Sequence, residues 1–502
     1  AKIEAEMPYV KWGARKAILN DLSPAATFIA YNYNTPVDLA EFQREATRIL
    51  EECEKELGWM YETRHVIDGK LQTGIDGNPI IGRINYTVWS DVFICPTCSN
   101  EIVFWDVAVD QENGKVNDTF FCPHCRSELT KHSCTRAQET HFDTRLNEFV
   151  TMAKQVPVLI NYSAGKKRFE KTPDEFDLAL IEKINNIEIP YWYPTDELPN
   201  GYNTEQPKRS HGITHVHQFY TRRNKVFLAI VHSKILRSPY KLPLLFVFTA
   251  SIQRASKTNR FRFGGTGNLS GTLYVPSLQY ERSANALFAS KFNDIRKQKQ
   301  MLIEKHSFVN TASLSDIINL QENSIDYIFT DPPFGGNLNY SELSFLWESW
   351  LRVFTNPKTE AIINSVQGKA LLEYQTLMSK CFTECYRVLK PGRWMTVVFH
   401  NSRNSVWNAI QESLQRSGFI IADVRTLDKQ QGSFKQVTTT SAVKQDLVIS
   451  AYKPKESFKR EFFSNAGNEE TAWGFVRQHL ERLPVVVVKN GKIELIAERQ
   501  AF

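Results

Sequence analysis

The fold is decided by the stretch Ile325-Asp326-Tyr327-Ile328-Phe329-Thr330-Asp331-Pro332-Pro333-Phe334-Gly335-Gly336. Its first half is rich in β-branched and aromatic residues, which predicts a buried strand over 325–330. The two prolines that follow fix their own φ angles and lack N–H donors, so the strand must end in a rigid turn. Ligands of an open α/β sheet bind beyond the carboxyl ends of its strands. Residues 331–336 are therefore predicted to lie at a ligand-binding edge.

The Asp-Pro-Pro-Phe turn carries groups that suit an amino substituent on a planar base. Such an amino group has two N–H donors, and the Asp331 carboxylate together with a carbonyl of Pro332 or Pro333 can accept both. Phe334 offers an apolar face on which a base can stack. The two glycines that follow leave room for the backbone to approach a ligand. The alternative is a rigid Pro-Pro loop with a purely structural role.

Strands and helices alternate around this turn. We expect an α/β fold with a largely parallel sheet that helices cover on both faces. The turn Lys390-Pro391-Gly392 is expected to lead into a strand, and Gly418 to end a helix. The predicted strands cover 308–311, 325–330, 394–399, 419–424 and 447–452, and the predicted helices cover 371–389 and 404–417.

With these elements in place, the chain resembles the amino-group DNA methyltransferases, whose motif is (Asp/Asn/Ser)-Pro-Pro-(Tyr/Phe/Trp). The resemblance includes Tyr340-Ser341-Glu342-Leu343 and the stretch Tyr386-Arg387-Val388-Leu389-Lys390-Pro391-Gly392. It covers about 307–453 together with 13–34. It implies a Rossmann-like sheet, the cofactor S-adenosyl-L-methionine, and a target base flipped out of the duplex.

The same resemblance assigns catalysis to Asp331, Pro332, Pro333 and Phe334, with adenine N6 as the expected methyl acceptor. The zinc-ribbon pattern below and the stretch 212–224 also resemble large DNA methylases found with restriction and phage-defence genes. This implies DNA as a partner, other subunits of such a system, and a cytoplasmic protein. Two alternatives stay open: an RNA guanine N2 methyltransferase, and a zinc-ribbon nucleic-acid-binding protein with an inactive methyltransferase fold.

The cofactor side rests on Ala17-Ile18-Leu19-Asn20-Asp21-Leu22-Ser23-Pro24, which resembles the second strand of such enzymes. The resemblance assigns Asp21, with Leu22 beside it, to the ribose hydroxyls of the cofactor; the alternative for Asp21 is a helix N-cap. Residues 1–12 contain no glycine, so we expect the Gly-rich cofactor loop to precede them or to lie elsewhere. The stretch Phe263-Gly264-Gly265-Thr266-Gly267 has a loop-like pattern, but a turn and a strand are expected after it rather than a helix.

Four of the eight cysteines form two pairs, Cys95-Pro-Thr-Cys98 and Cys122-Pro-His-Cys125, with 23 residues between them. Two such pairs in a chain without a secretion signal predict a closed, structural Zn²⁺ ribbon. We expect this ribbon to fold a small module that has little core of its own. Cys53, Cys381 and Cys385 lie on apolar helical stripes and are expected to be core residues.

Composition limits the class of protein to which the chain can belong. The chain has 502 residues, a net charge of +6 and 42% hydrophobic residues, which fits a soluble globular protein and permits a nucleic-acid partner. No apolar run is long enough for a membrane span.

Helices are also expected over 37–58 and 216–236, and a strand over 244–250. The basic stretch 253–272, in which aromatic residues alternate with arginines, is either a nucleic-acid contact or a solvated loop.

These patterns predict five segments. They are an N-terminal part of the methyltransferase domain without its first strand (1–65), a zinc-ribbon insertion (66–145), an accessory nucleic-acid-contact region (146–306), the catalytic part (307–453) and a C-terminal extension that we expect to continue beyond residue 502 (454–502).

Overall fold

The computed structural model describes residues 13, 15–301, 307–401, 403–428, 445–457, 460, 464, 486–489 and 492–495. The expectation about glycines in residues 1–12 lies outside the described residues. Among those that are described, every helix is too short or too polar to cross a lipid bilayer.

The described residues form a mixed α/β structure, as predicted. The α-helices are α1 (Pro24–Asn34), α2 (Leu39–Leu57), α3 (Phe104–Ala108), α4 (Glu175–Asn185), α5 (Tyr202–His211), α6 (Arg222–Leu236), α7 (Lys241–Ile252), α8 (Ala284–Lys299), α9 (Tyr340–Leu351), α10 (Leu371–Val388) and α11 (Asn404–Arg416). Short 3-10 helices cover Gly58–Tyr61, Val216–Phe219 and Pro357–Thr359.

The strands are β1 (Ala17–Asp21), β2 (Glu62–Arg64), β3 (Val66–Ile67), β4 (Lys70–Leu71), β5 (Ile81–Ile94), β6 (Glu101–Val103), β7 (Val109–Asp110), β8 (Lys115–Val116), β9 (Thr119–Phe121), β10 (Glu128–Thr130), β11 (Thr135–Arg136), β12 (Gln138–Asp143), β13 (Glu148–Ala153), β14 (Gln155–Ala164), β15 (Lys167–Lys171), β16 (Arg260–Arg262), β17 (Gly265–Gly267), β18 (Leu278–Arg282), β19 (Ser307–Thr311), β20 (Ile325–Thr330), β21 (Leu389–Phe399), β22 (Ile420–Asp428), β23 (Gln445–Tyr452), β24 (Val486–Lys489) and β25 (Lys492–Leu495).

The chain divides into two compact units. The first comprises residues 1–19, 23–310 and 340–355, and the second comprises 20–22, 311–339 and 356–502. The first unit is built on the long strand β5, which lies in a sheet of order β15-β14-β5-β18-β16-β17. Helices α2, α6, α7 and α8 supply much of its core.

The second unit holds the predicted strand-turn-strand elements. Its main sheet has the order β20-β21-β23-β22. Strands β20 and β21 are parallel, whereas β23 runs antiparallel to both of its neighbours. Strands β20, β21 and β22 therefore run in the same direction, as a largely parallel sheet predicts, and β23 alone is reversed. Helices α10 and α11 pack in the core of this unit.

Three further expectations need correction or adjustment. Residues 244–250 are not a strand but part of helix α7, in which Leu244 to Thr249 are all buried. Because the helix is buried on every side, its sequence lacks the period that distinguishes a surface helix from a strand. The turn expected at 390–392 lies within the bounds of β21, where pairing with β20 is irregular between Leu389 and Trp394 and Gly392 has a φ of +75°. The expected helix 216–236 is divided into a 3-10 turn and α6.

Candidate active site and cysteine cluster

The strand predicted before the Asp-Pro-Pro-Phe turn is present over Ile325–Thr330, but it is not buried as predicted. It lies at the edge of its four-stranded sheet, and Tyr327 and Phe329 are exposed. It runs parallel to β21, and Thr330 lies opposite Val397 in that strand. Because the two strands are parallel, Asp331 emerges at the edge where β21 continues into His400 and Asn401. The turn and the residues after β21 therefore meet at one carboxyl edge of the sheet.

Two side chains from other elements hold the turn in place. The Tyr374 hydroxyl on α10 donates a hydrogen bond of 2.8 Å to the Pro333 carbonyl. The Asn401 amide donates one of 2.9 Å to the Phe334 carbonyl. Burial raises the pKa of Tyr374, so its hydroxyl keeps the proton that it donates.

These contacts distinguish the carbonyl of Pro333 from that of Pro332, whereas the sequence alone does not distinguish them. The Pro333 carbonyl already accepts the bond from Tyr374. In the part of the chain that the structure describes, the Pro332 carbonyl accepts no hydrogen bond. Asp331 itself is exposed. Of the two proline carbonyls, that of Pro332 is thus the one without a hydrogen bond in the described residues, although Pro332 itself is buried.

The two glycines after the motif are required by protein packing. Gly335 has a φ of +68°, which disfavours any other residue. A Cβ atom on Gly336 would lie 3.0 Å from the Ile363 carbonyl oxygen. The Gly335 carbonyl also accepts a hydrogen bond from the Ile363 amide. The close approach that the glycines permit is therefore made by the chain around residue 363, whereas we expected it to be made by a ligand.

Phe334 is fixed by aromatic neighbours. Its ring meets Phe399 edge-on, with ring centroids 5.4 Å apart, and lies 6.1 Å from the ring of His400. Nδ1 of His400 lies 3.0 Å from Oδ1 of the buried Asp446. Phe334 is only half-buried, so part of its ring remains accessible at the same edge as Asp331.

The candidate cofactor residues lie in the second unit, as the Asp-Pro-Pro-Phe turn does. Asp21 is the last residue of β1 and is exposed, and Leu22 follows it half-buried. Helix α1 is capped by Ser23, whose hydroxyl accepts from the Ala26 amide. Asp21 is therefore not the helix N-cap, and its exposed carboxylate at a strand end fits hydrogen bonding to a ribose diol.

The glycine stretch 263–267 has a different structure from a cofactor loop. Strands β16 and β17 pair across it as a hairpin, with Arg262 opposite Gly265, and Gly264 in the turn has a φ of +76°. No helix begins directly after it, as the sequence predicted. The strand expected within 268–276 is absent, and the next strand, β18, begins at Leu278. Within the described residues, this loop does not supply the glycine-rich cofactor element.

The four paired cysteines come together as predicted. Their sulfur atoms all lie within 4.8 Å of one another. The Cys95 and Cys125 sulfurs are 3.7 Å apart, and so are those of Cys98 and Cys122. Four thiolates at the usual Zn–S distance of about 2.3 Å in a tetrahedron would be separated by about 3.8 Å. The cluster therefore has the size and donor set that suit a Zn²⁺ ion.

Each pair is shaped by the same backbone turn. The Cys95 carbonyl accepts from the Ser99 amide, and the Cys122 carbonyl accepts from the Arg126 amide. Ser99 and Arg126 have φ angles of 60° and 61°, so both turns close through the left-handed region. Hydrogen bonds from Ser127 lower the pKa of Cys125 to about 6, which favours the thiolate form that a metal needs.

The module was expected to have little core of its own, and the core around its cysteines is shared with the main sheet of the first unit. Phe93 of β5, Phe104, Trp105 and Phe120 are buried around the cysteines. Because β5 also runs through the main sheet of the first unit, the module shares its core with that sheet. The other helix cysteines are core residues, as predicted, and burial raises the pKa of Cys53 and Cys381 to about 12.

Sequence reasoning missed two of the residues that shape the turn. Asn401 could have been found, because it follows a predicted strand at the edge already occupied by Asp331. Tyr374 carries no such signal, since an aromatic residue on the apolar stripe of a helix is usually a core residue.

Residues 325–482 match the family model of the N6/N4 DNA methylases, described as DNA methylase. No curated protein matches the chain. Among solved structures, the chain is similar to an S-adenosylmethionine-dependent methyltransferase from Methanosarcina mazei, at 13% identity over 30% of this chain and 68% of that one, with a TM-score of 0.18.

The chain is also similar to a candidate DNA modification methylase from Thermus thermophilus, at 12% identity over 32% of this chain and 62% of that one, with a TM-score of 0.18. The same protein in complex with S-adenosyl-L-methionine matches at 12% identity over 32% and 63%, with a TM-score of 0.17. At such scores these similarities carry no argument about function. The family match does, and the chain therefore contains, within residues 325–482, a domain related to the DNA methylases.

Proposed function

We propose that the protein transfers a methyl group from S-adenosyl-L-methionine to an exocyclic amino group of a DNA base, with adenine N6 as the acceptor. The observation that carries this proposal is the Asp331 carboxylate at the carboxyl end of β20, beside a Pro332 carbonyl that accepts no hydrogen bond in the described residues. The match of residues 325–482 to the DNA methylases supports the same reaction.

In this proposal the turn acts by orienting the amino nitrogen. Asp331 and the Pro332 carbonyl accept its two N–H groups, which directs the nitrogen lone pair away from the turn. Phe334, held by Phe399 and His400, stacks against the flipped base. S-adenosyl-L-methionine would supply an electrophilic methyl group. Once the amino group is methylated it loses one proton, which the exposed Asp331 can pass to water.

The remaining parts of the proposal concern binding. Asp21, with Leu22 beside it, would hold the ribose of the cofactor. Cys95, Cys98, Cys122 and Cys125 would hold a structural Zn²⁺, because four thiolates leave no open position for catalysis. We also propose a cytoplasmic protein that acts on DNA with other subunits of a restriction or phage-defence system.

The proposed domain arrangement follows from the same resemblance. Residues 1–65 and 307–453 would form the methyltransferase domain. Residues 66–145 would insert the ribbon and 146–306 the accessory region, and 454–502 would extend the chain.

The test is a transfer assay with labelled S-adenosyl-L-methionine and unmethylated genomic DNA, followed by digestion to nucleosides and mass spectrometry. We expect N6-methyladenine. N4-methylcytosine would correct the acceptor but keep the reaction class. Transfer to tRNA without transfer to DNA would replace the proposal with an RNA methyltransferase. Absence of cofactor binding in calorimetry would favour an inactive fold.

A further inference from the structure

A groove of about 680 Å³ opens in the first unit, away from the motif that the sequence singles out. Strands β5, β14 and β18 form its floor, and helices α2 and α8 contribute its walls. This volume lies within the range of roughly 300 to 1,000 Å³ that is typical of ligand sites.

A β-bulge shapes the floor of the groove. Asn161 pairs with Tyr86, but the next residue of β14 pairs with Ile84, which makes Asn85 the extra residue. The Asn85 amide donates to Oδ1 of Asn161 at 2.9 Å. Bulges of this kind often re-aim side chains at functional sites. Here the bulge places two amide groups and a tyrosine side by side on the floor.

Two tyrosines give the groove an aromatic platform. The rings of Tyr86 and Tyr280 lie on neighbouring strands with centroids 4.4 Å apart and an interplanar angle of 31°. Both tyrosines are only partly buried. Burial raises the pKa of Tyr280, so its hydroxyl stays protonated and can donate to an anion. Any nucleobase can stack on such an aromatic surface, because every base has a planar π-face.

The charged residues that line the groove include two arginines and one glutamate, Glu51, that form no ion pair within the described residues. Arg83 forms an ion pair with Glu54. The neighbouring carboxylate, Glu170, accepts from Tyr86 and Asn161 at 2.9 and 3.0 Å. In contrast, the structure gives no ion pair within the described residues to Arg168 or Arg282, although both line the groove.

Helix α8 adds two features to the same groove. Its N-terminus, capped by Ser283, lies in the wall and presents the positive end of a helix dipole. Oδ1 of Asn285, in its first turn, is buried and has no hydrogen-bond partner in the described part of the chain. The groove thus offers cationic groups, a helix N-terminus and an aromatic surface to a ligand.

We propose that this groove binds one nucleotide of a DNA strand, with its phosphate on Arg168 and Arg282 and its base against the Tyr86 and Tyr280 rings. The site rests on the proposed function only for the choice of DNA as the source of the nucleotide. A free nucleotide carries the same chemistry.

The test measures binding of a fluorescein-labelled single-stranded oligonucleotide to the full chain by fluorescence anisotropy over a range of salt concentrations. The double variant Arg168→Gln/Arg282→Gln should bind more weakly, and the slope of log Kd against log salt should fall by roughly 1 to 2. Tyr280→Leu should weaken binding about tenfold, whereas Tyr280→Phe, which keeps the ring, should bind like the wild type.

Matched controls make the outcome decisive. Arg237→Gln removes an exposed arginine outside the groove and should leave both Kd and salt slope unchanged. Circular dichroism melts establish that each variant is folded. Wild-type binding by folded Arg168→Gln/Arg282→Gln and Tyr280→Leu would overturn the proposal. If the protein bound dAMP but not the oligonucleotide, the proposal that the bound nucleotide belongs to a DNA strand would be wrong.

The proposed methyl transfer can fail separately from this site. Two assays on the wild-type protein separate the proposals. Absence of methyl transfer to DNA, with oligonucleotide binding that still depends on Arg168 and Arg282, would overturn the proposed function and keep this site. Methyl transfer with oligonucleotide binding that does not depend on Arg168 and Arg282 would overturn this site and keep the proposed function.

Discussion

Asp326 and Asp331 are both exposed aspartates, one within β20 and one directly after it, and their surroundings give them different roles. Asp326 forms an ion pair with Lys390 at 2.9 Å, which lowers its pKa as a surface pair does. Asp331 lies at the sheet edge beside the Pro332 carbonyl. Asp331→Ala should therefore reduce methyl transfer at least about a hundredfold, with nearly unchanged cofactor affinity by calorimetry.

Asp326→Ala is the control for this change, because it removes a carboxylate from the same strand without touching the turn. It should keep wild-type transfer. Asp331→Asn keeps one acceptor oxygen and should retain part of the rate. If Asp331→Ala transferred methyl groups at the wild-type rate, the catalytic role of this residue would have to be abandoned.

Tyr374 is expected to act as a positioning residue for the turn. Tyr374→Phe removes the donor to the Pro333 carbonyl, which should cost about 1 kcal/mol of stability. The loosened turn should lower kcat about tenfold while KM for the cofactor stays unchanged. Steady-state kinetics separate the two parameters. The control is Tyr327→Phe. Tyr327 is an exposed residue of β20, and its hydroxyl donates to Thr396 on β21, so this variant should leave kcat unaltered. An equal loss of kcat in both variants would contradict positioning by Tyr374.

At the scale of single residues, the sequence was enough to identify the residues that belong to a short motif or to a characteristic spacing. Asp331 and Phe334 follow from the motif, and the four cysteines follow from their spacing. The choice between Pro332 and Pro333 could not be made, because it depends on a hydrogen bond from Tyr374, which lies on a helix that is distant in the chain. Contacts between distant elements leave no mark in local sequence patterns.

At the scale of elements, the two cysteine turns are expected to depend on metal. Cys95→Ser removes one of four sulfurs from the cluster, and both zinc content by mass spectrometry and melting temperature should fall. Cys134→Ser is the matched control, since this thiol lies nearby but outside the cluster, and it should keep wild-type zinc and stability. Full zinc content in Cys95→Ser would count against the ribbon.

Helix α7 illustrates where element prediction fails. Its apolar run has the length of a buried strand, and a run that is buried on all sides has neither the period of two nor that of 3.6. Pro243 lies in the first turn, where a missing N–H does no harm to a helix. By contrast, α10 was predicted over nearly its whole length, because only one of its faces is buried.

The order of strands was harder to predict than their positions. Strands β20, β21, β22 and β23 all lie close to their predicted residues, yet β23 inserts antiparallel between β21 and β22. Periodicity along one strand reports which faces are buried, and it contains no information about which strand lies beside it.

At the scale of the whole molecule, composition predicted a globular chain but not how its stability depends on pH. Three histidines of the first unit, His211, His217 and His232, are buried, and burial lowers the pKa of each. A lowered pKa means that the unfolded chain takes up protons first as the solution is acidified. The first unit is therefore expected to lose stability below the ordinary histidine pKa of 6.5.

His232 gives this expectation its sharpest test. It packs between Trp192, Phe248 and Trp350, and burial, reinforced by the charge of Arg352, lowers its pKa to about 4. Its contribution is intact above pH 6.5 and should be lost progressively down to pH 4, by about 3 kcal/mol in total. His232→Phe, which keeps an aromatic ring, should therefore gain stability relative to the wild type as the pH falls. Urea unfolding followed by circular dichroism at several pH values measures the difference in the free energy of unfolding between the variant and the wild type. His132→Gln, which changes an exposed histidine, should have the same free energy of unfolding as the wild type at each pH. A constant difference between His232→Phe and the wild type from pH 7 to 4 would show that His232 does not carry the acid sensitivity of the fold.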